Sequence, residues 1–352
     1  MSDRPDFDKM SCPLPLMDLD SIQLAHGAGG LLSADLIDRM IMPRFASPEL
    51  EKLEDQAVLD LPPGRVAFST DTFVVSPLFF PGGDIGDLAI NGTVNDVAMS
   101  GAEVAALSVG FVLEEGLPMA DFHRILCSME AAAKKAGVRI VTGDTKVVGK
   151  GSCDGIFINT SGVGVIPEGL NLSAASLQPG DAVILSGTLA DHGMAVMTVR
   201  EGLSFQSTVE SDSAALNGLV RSILDAGPGT RTLRDPTRGG AATSLNEFAK
   251  ASGVGIKLDE SAIKVRPDVA GACEILGIDP MYVANEGKLI AVVPADQAEA
   301  VVAAMRDNEH GQDAAIIGTV VAAHPGLVAM KTGFGAERIV DMPVGEQLPR
   351  IC

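Results

Sequence analysis

The last residue of this 352-residue chain is a cysteine, in the stretch Leu348-Pro349-Arg350-Ile351-Cys352. An exposed thiol at the very end of a chain is a liability unless it is used. The eight residues from Gly345 span up to roughly 26–29 Å when extended, so the thiol can visit more than one site, as a carrier arm does. Its own carboxylate opposes thiolate formation, while Arg350 favours it. The bland alternative is an accidental terminal cysteine. Cys12, Cys127, Cys153 and Cys273 show no C-x-x-C spacing. They indicate neither a disulfide framework nor a zinc site, and read as small apolar residues.

Acidic residues recur at the edges of apolar segments in the first half: Asp55 in Glu-Asp-Gln-Ala-Val, Asp71 in Ser-Thr-Asp-Thr, Asp96 in Asn-Asp-Val and Asp144 in Gly-Asp-Thr-Lys. Hard oxygen ligands drawn from several elements suit Mg²⁺, which bridges to phosphate oxygens. With a formal charge of −20, bound metal is also how a polyanion such as ATP is tolerated. Taken singly, each Asp also reads as a turn or cap residue. His26-Gly27-Ala28-Gly29-Gly30 precedes a helix-like stretch and offers backbone N–H groups to phosphate, or simply a hinge. Lys146 is a point charge for a terminal phosphate or a solvated surface residue.

Three motifs in the second half are equally two-sided. Asp235-Pro236-Thr237-Arg238-Gly239-Gly240 is an anion site or, more naturally on local grounds, a helix cap. In Asn285-Glu286-Gly287 the carboxylate is a base or part of a turn, and Asp191-His192-Gly193 is a cap or a substrate contact. His123 sits in a helix and reads as structural. There is no P-loop: Gly143 to Lys150 has the wrong spacing, with Gly151 where Ser or Thr is needed. Nor is there a G-x-G-x-x-G opening a helix after a strand. A nucleotide has to be held another way.

The elements that position these groups alternate. Strands are expected at Val66–Val75 with polar interruptions, Ala105–Leu113, Val138–Val141 closing at Gly143-Asp144, and Gly155–Val165. Helices are expected at Ile85–Ser100 and at Met119–Ala136, the latter ended by Gly137. A boundary falls in 167–180, rich in Pro, Gly, Asn and Ser. Beyond it come strands at Ala182–Ser186, Leu289–Val293 and Ala315–Val321, and helices at His192–Arg200, Asp212–Ala226, Ala241–Ser252 and Val269–Leu276. The last twenty residues read as an extended tail. Both halves are α+β.

Length favours two domains, and 46% apolar residues supply a sizeable core. The negative charge and the absence of Trp exclude a nucleic-acid binder and an anionic-membrane binder. No apolar run reaches the ~18 residues of a membrane span. The acidic start, Met1-Ser2-Asp3, is no secretory signal, so a cytoplasmic protein is expected.

Taken together, His26 to Gly30, Glu54 to Val58, Ser69 to Gly83, Asn91 to Gly101, Gly143 to Val148, Asp235 to Gly240, Asn285 to Lys288 and the terminal Pro-Arg-Ile-Cys resemble the HypE family of hydrogenase maturation proteins. The resemblance runs from Ile22 to Cys352. It implies a two-domain α+β fold like aminoimidazole ribonucleotide synthetase (PurM-like) with a flexible C-terminal tail. The implied units are 1–48, an extension and a Gly-rich nucleotide-covering segment; 49–168, for ATP binding and dimerisation; 176–330; and the tail, 331–352. Cys12 lacks the reactive-cysteine motif of the related selenophosphate synthetases.

The implied activity is carbamoyl dehydration. A HypF-type carbamoyltransferase loads Cys352, ATP-dependent removal of water turns the thiocarboxamide into thiocyanate, and the cyanide passes to iron on a HypC–HypD complex. The resemblance implies a homodimer, with Cys352, Glu286, Lys146 and Asp96 catalytic. It implies nucleotide contacts from His26, Gly27, Gly29, Gly30, Asp55, Asp71, Thr72, Asn95, Asp96, Asp144 and Lys146, with Mg²⁺ on Asp55, Asp71, Asp96 and Asp144. The alternatives are a non-catalytic thiol carrier, or a small-molecule synthetase or kinase of the same fold.

Overall fold

The computed structural model describes residues 19–202, 209–345, 348 and 350–352. Cys12 lies outside them. A helical run opens the described chain: α1 (Leu31–Leu36), a wider π turn (Ile37–Ile41) and α2 (Met42–Phe45). Pro43 cannot donate a backbone hydrogen bond, and the helix loosens just before it.

The first sheet contains β1 (Arg65–Phe73), β4 (Glu103–Glu114), β5 (Ile140–Val148) and β6 (Ile156–Ile166), in the order β1-β6-β4-β5. Between β1 and β4 lie a small hairpin, β2 (Phe79–Phe80) and β3 (Gly83–Asp84), and helix α3 (Ile85–Met99). Asp84 caps α3, its Oδ1 accepting from the N–H groups of Gly86 at 2.7 Å and Asp87 at 3.1 Å. Helix α4 (Met119–Ala136) links the parallel pair β4 and β5 and ends at Gly137 in the left-handed conformation. Side chains alternate across the sheet: Leu107, Val109, Phe111 and Leu113 are buried in the core that includes α3 and α4. The opposite face is open and carries Phe68, 71% exposed, and Val66, 52% exposed.

The second sheet runs β13-β12-β9-β11-β7-β10-β8. Its strands are β7 (Ala182–Leu185), β8 (Thr232–Arg234), β9 (Gly255–Asp259), β10 (Ile290–Val293), β11 (Ala315–Val321), β12 (Val328–Lys331) and β13 (Glu337–Ile339). The helices of this unit are α5 (Asp191–Arg200), α6 (Asn217–Ala226), α7 (Gly240–Ser252), α8 (Pro267–Leu276) and α9 (Ala298–Arg306). Every residue of β7 and β10 is buried. Val183 and Leu185 pack in the cluster of α7, and Ala182 and Ile184 in that of α6 and α9. This sheet is therefore covered on both sides, and its central strands read as continuous apolar runs.

Several expectations are corrected. Asp144 is not at a strand end, because β5 runs straight through Gly143, where a Cβ would lie 2.5 Å from the Val109 carbonyl oxygen. Asp96 stands within α3 and Asp71 within β1. The helix expected from Asp212 starts at Asn217, since Asp212 and its neighbours are committed to the site below. The second sheet extends past residue 330 through β12 and β13. The tail is not free: Leu348 and Ile351 are buried in the first core.

Candidate active site

The docked tail is held by its main chain. A carboxylate oxygen of Cys352 accepts from the Val74 N–H at 3.2 Å, and the carbonyl of Arg350 from the Ser76 N–H at 3.2 Å and Arg200 Nη2 at 2.6 Å. His192 Nε2 meets the Ile351 carbonyl at 2.6 Å. Arg350 turns away to pair with Asp154, so it is not the cation facing the thiol. That cation is Arg238, whose charge favours the thiolate. Burial, and then Glu286, nonetheless push the Cys352 thiol up to about 12. At neutral pH it is a thiol.

Near the sulfur stand Glu286 from the second unit and Asp71 from the first, and Glu286 in turn faces Asp235 and Asp96. Glu286 is fully buried, and its Oε1 has no hydrogen-bond partner. Burial, then Asp235, Asp212, Asp71 and Asp96, hold it well above the usual carboxylate range. Asp235 is pushed up to about 7 by burial and then by Asp96. It does not cap α7, whose preceding residue is Gly239 at φ 77°. Asp96 is raised by burial, against a 2.8 Å hydrogen bond from the Ser69 hydroxyl, and Asp71 by burial, against the Thr72 N–H. A cavity of about 640 Å³ lies beside the thiol, lined by Arg238, Thr243, Tyr282 and the tail. A second, of about 460 Å³, shares Arg238 and Thr243 and reaches Asp96 and Asp235.

The backbone of Glu286 is pinned from several directions. Its N–H donates to Asp212 Oδ1 at 3.1 Å, and its carbonyl accepts from Asn95 Nδ2 at 3.3 Å. Asn95 also donates to the Ala214 carbonyl at 3.0 Å and accepts from the Leu216 N–H at 2.7 Å. Asn95 is buried and its amide nitrogen is committed to these two carbonyls, which corrects its expected role as a nucleotide contact. Lys288 Nζ pairs with Asp212 at 3.1 Å and Asp191 at 3.8 Å. Asp191 is the first residue of α5 rather than a cap.

The remaining predicted residues form a second set on the other side of the sheet. Register aligns Asp71-Thr160-Val109-Gly143 in one row and Thr72-Asn159-Gly110-Asp144 in the next. Neighbouring rows point to opposite faces, so Asp71 faces the α3 side while Thr72 and Asp144 face the open side. Lys146 is two residues beyond Asp144 on that same open face and pairs with it at 2.9 Å, both side chains about two-thirds exposed. Both line a cavity of about 450 Å³ that wraps the β5 edge of the sheet, with His26, Gly27 and Gly29; Leu36, Ile41, Phe45 and, from the α3 side, Phe111 add apolar walls. His26 is buried, with Nδ1 accepting from the Gln23 N–H at 2.9 Å. A Cβ at Gly27 would lie 2.7 Å from the Val147 nitrogen, so only glycine lets this segment lie on β5. Gly30 and Asp55 are exposed.

The four-aspartate cage is therefore corrected: opposite faces separate Asp71 and Asp96 from Asp144, and Asp55 stands in an exposed bend. Among the described residues no three His, Cys, Asp or Glu groups converge on one point. Asp71 does lie close enough to Asp96 for its charge to raise the proton affinity of Asp96. A pair of carboxylates is what Mg²⁺ takes from a protein when phosphate supplies the rest, so this pair fits the ion. The sequence reading missed Asp235, Arg238, Asp212 and His192 as members of one constellation: Asp235, Arg238 and His192 stood in motifs it had singled out, and Asp212 was read only as the start of a helix.

Two family models match the chain: "AIR synthase related protein, N-terminal domain" over residues 53–166 and "AIR synthase related protein, C-terminal domain" over 178–329. The carbamoyl dehydratase HypE of Azotobacter vinelandii is 55% identical over 332 residues, 94% of this chain and 97% of that one. The crystal structure of a hydrogenase maturation protein HypE in complex with ATP superposes with a TM-score of 0.90 at 49% identity, covering 94% of this chain and 99% of the other. A HypE–HypF complex gives 0.77 at 49% identity, covering 89% and 100%. Among the described residues no helix is long and apolar enough to cross a membrane. Near-complete coverage at such identity, with the two-unit PurM-like fold and a terminal thiol seated among carboxylates, leads to one conclusion: the chain belongs to the HypE family of carbamoyl dehydratases.

Proposed function

We propose that this protein dehydrates a thiocarboxamide carried on its own Cys352, using ATP, to give the thiocyanate that supplies the cyanide ligand of [NiFe]-hydrogenase iron. The observation that carries this reading is the seating of the Cys352 sulfur beside the fully buried Glu286 and the Arg238 guanidinium. Water is a poor leaving group from S–C(=O)–NH₂. Transfer of the γ-phosphoryl group to the carboxamide oxygen, with loss of one N–H proton, gives a phosphorylated imidate and ADP. Expulsion of phosphate, with loss of the second N–H proton, then gives S–C≡N.

Glu286 is the base in this scheme. Burial and the neighbouring carboxyl groups raise its proton affinity, which makes its carboxylate a strong proton acceptor. Arg238 binds the carbamoyl oxygen and the charge that grows there. Asp96 and Asp71 are assigned to Mg²⁺, which neutralises phosphate charge when bound. Lys146, with His26, Gly27, Gly29 and Asp144, is assigned to the nucleotide at the β5 edge, where the apolar walls of the 450 Å³ cavity suit a base. The open face with Phe68 and Val66 is assigned to a homodimer contact. A HypF-type protein loads the thiol, a HypC–HypD complex takes the cyanide, and the cytoplasm is the place of action. The test is intact mass: after carbamoylation, added Mg-ATP removes one water. An unchanged mass would favour a passive carrier.

A further inference from the structure

The reaction needs the thiol and its base at a fixed separation, yet they arrive from distant parts of the chain, residue 352 on the tail and residue 286 on a loop before β10. One dipeptide touches the supports of both. Ser211 Oγ lies 2.8 Å from His192 Nδ1, and His192 Nε2 lies 2.6 Å from the Ile351 carbonyl oxygen. The adjoining Asp212 accepts the Glu286 N–H at 3.1 Å. We infer that His192 is a positioning residue and that, with Ser211-Asp212, it forms a bracket setting the distance between the Cys352 sulfur and the Glu286 carboxyl. This goes beyond the dehydratase reading and rests on it only for the use to which the fixed distance is put.

The chemistry of the bracket is specific. A carbonyl oxygen only accepts, so Nε2 carries the hydrogen. Burial keeps the His192 imidazole neutral, which leaves Nδ1 as an acceptor for the Ser211 hydroxyl. The bracket is tied to the β2–β3 hairpin. Its Ser211 N–H donates to the Pro81 carbonyl at 2.8 Å, and a Cβ on Gly82 would meet the Ser211 nitrogen at 2.8 Å. Phe80 closes against the imidazole edge-on at 5.4 Å between ring centroids. His192 has no exposed surface, so it touches the tail backbone and not the reacting atoms. The tail is thereby read through its peptide groups, which fixes the register of the thiol whatever the side chains carry.

The experiment measures alkylation of Cys352 by iodoacetamide in the full-length protein without nucleotide or partner, with Cys127 and Cys273 as internal monitors of the core. His192→Ala is expected to raise Cys352 labelling about tenfold, the size of one lost buried hydrogen bond, while the two core thiols stay unlabelled. His192→Gln, whose amide nitrogen falls near the place of Nε2, is expected to restore slow labelling; His192→Asn, which imitates only Nδ1, is not. Equal labelling of wild type and His192→Ala, indistinguishable Gln and Asn variants, or parallel labelling of Cys127 and Cys273 would each overturn the inference. Because the readout involves neither ATP nor carbamoyl transfer, failure of the dehydratase reading leaves it standing, and the reverse also holds.

Discussion

Adding a single methyl group at Gly287 is expected to disable the site. A Cβ there would lie 1.7 Å from the Asp212 carbonyl oxygen and 2.8 Å from its carbon, where ordinary contact is 3.4–4 Å. The gap to be opened is about 1.7 Å, the difference between 3.4 and 1.7 Å, and both parties are backbone, so no rotamer change relieves it. Displacement of either loop segment breaks the bonds that pin Glu286: its N–H to Asp212 Oδ1, Asn95 to its carbonyl and the Ala214 N–H to its carbonyl. At about 1 kcal/mol net for each bond, the loss is roughly 3 kcal/mol of stability. Misplacing a reacting group by about 1 Å costs roughly 10²-fold in rate. Gly287→Ala should therefore lower water loss from the carbamoylated protein about a hundredfold, followed by mass spectrometry over time, and reduce urea stability by a few kcal/mol. A rate within about threefold of wild type, with unchanged stability, would refute the claim that this backbone contact positions Glu286.

Glu286→Gln should bind nucleotide with unchanged affinity by calorimetry and yet form no thiocyanate; a normal rate removes it as the base. Asp71→Asn should weaken Mg-ATP binding by calorimetry, and unchanged affinity eliminates that assignment. Phe68→Asp should shift the protein to monomer in analytical ultracentrifugation, and an unaltered dimer would place the contact elsewhere. Asp87, fully buried in the first turn of α3, is raised to about 7 by burial first, against a hydrogen bond from Ser213. Because the folded value lies above the unfolded one, the stability from this group is complete below pH ~4 and is lost as pH rises towards ~7, about 4 kcal/mol in all. Asp87→Asn should flatten that part of the profile, and parallel curves from about pH 5 to about pH 8 would contradict it.

What the sequence made legible follows from which forces are local. Helices α3 and α4 are visible because their caps and apolar periodicity lie within the element, down to Gly137 at the end of α4. The buried strands β7 and β10 are visible as short apolar runs. Strands β9, β12 and β13 went unread because they are short and are held by partners far away in sequence. Candidate residues were found by type, but their grouping was misjudged. Asp71 and Asp144 look alike as acidic residues beside apolar runs, and only strand register shows that they point to opposite faces. Asp235 and Arg238 looked like a helix cap because the contacts that give them another role come from residues 96, 286 and 352. Arg350 seemed the natural partner of Cys352 by proximity in sequence, yet the backbone turns it towards Asp154.

The central claim, that Cys352 carries the group which the protein itself dehydrates, is tested most directly by intact-mass measurement of the protein carbamoylated at Cys352, before and after Mg-ATP. The account predicts loss of one water, mapped to the C-terminal peptide and absent in Glu286→Gln. Conversion of ATP to ADP with the carbamoyl mass intact on Cys352 would contradict it.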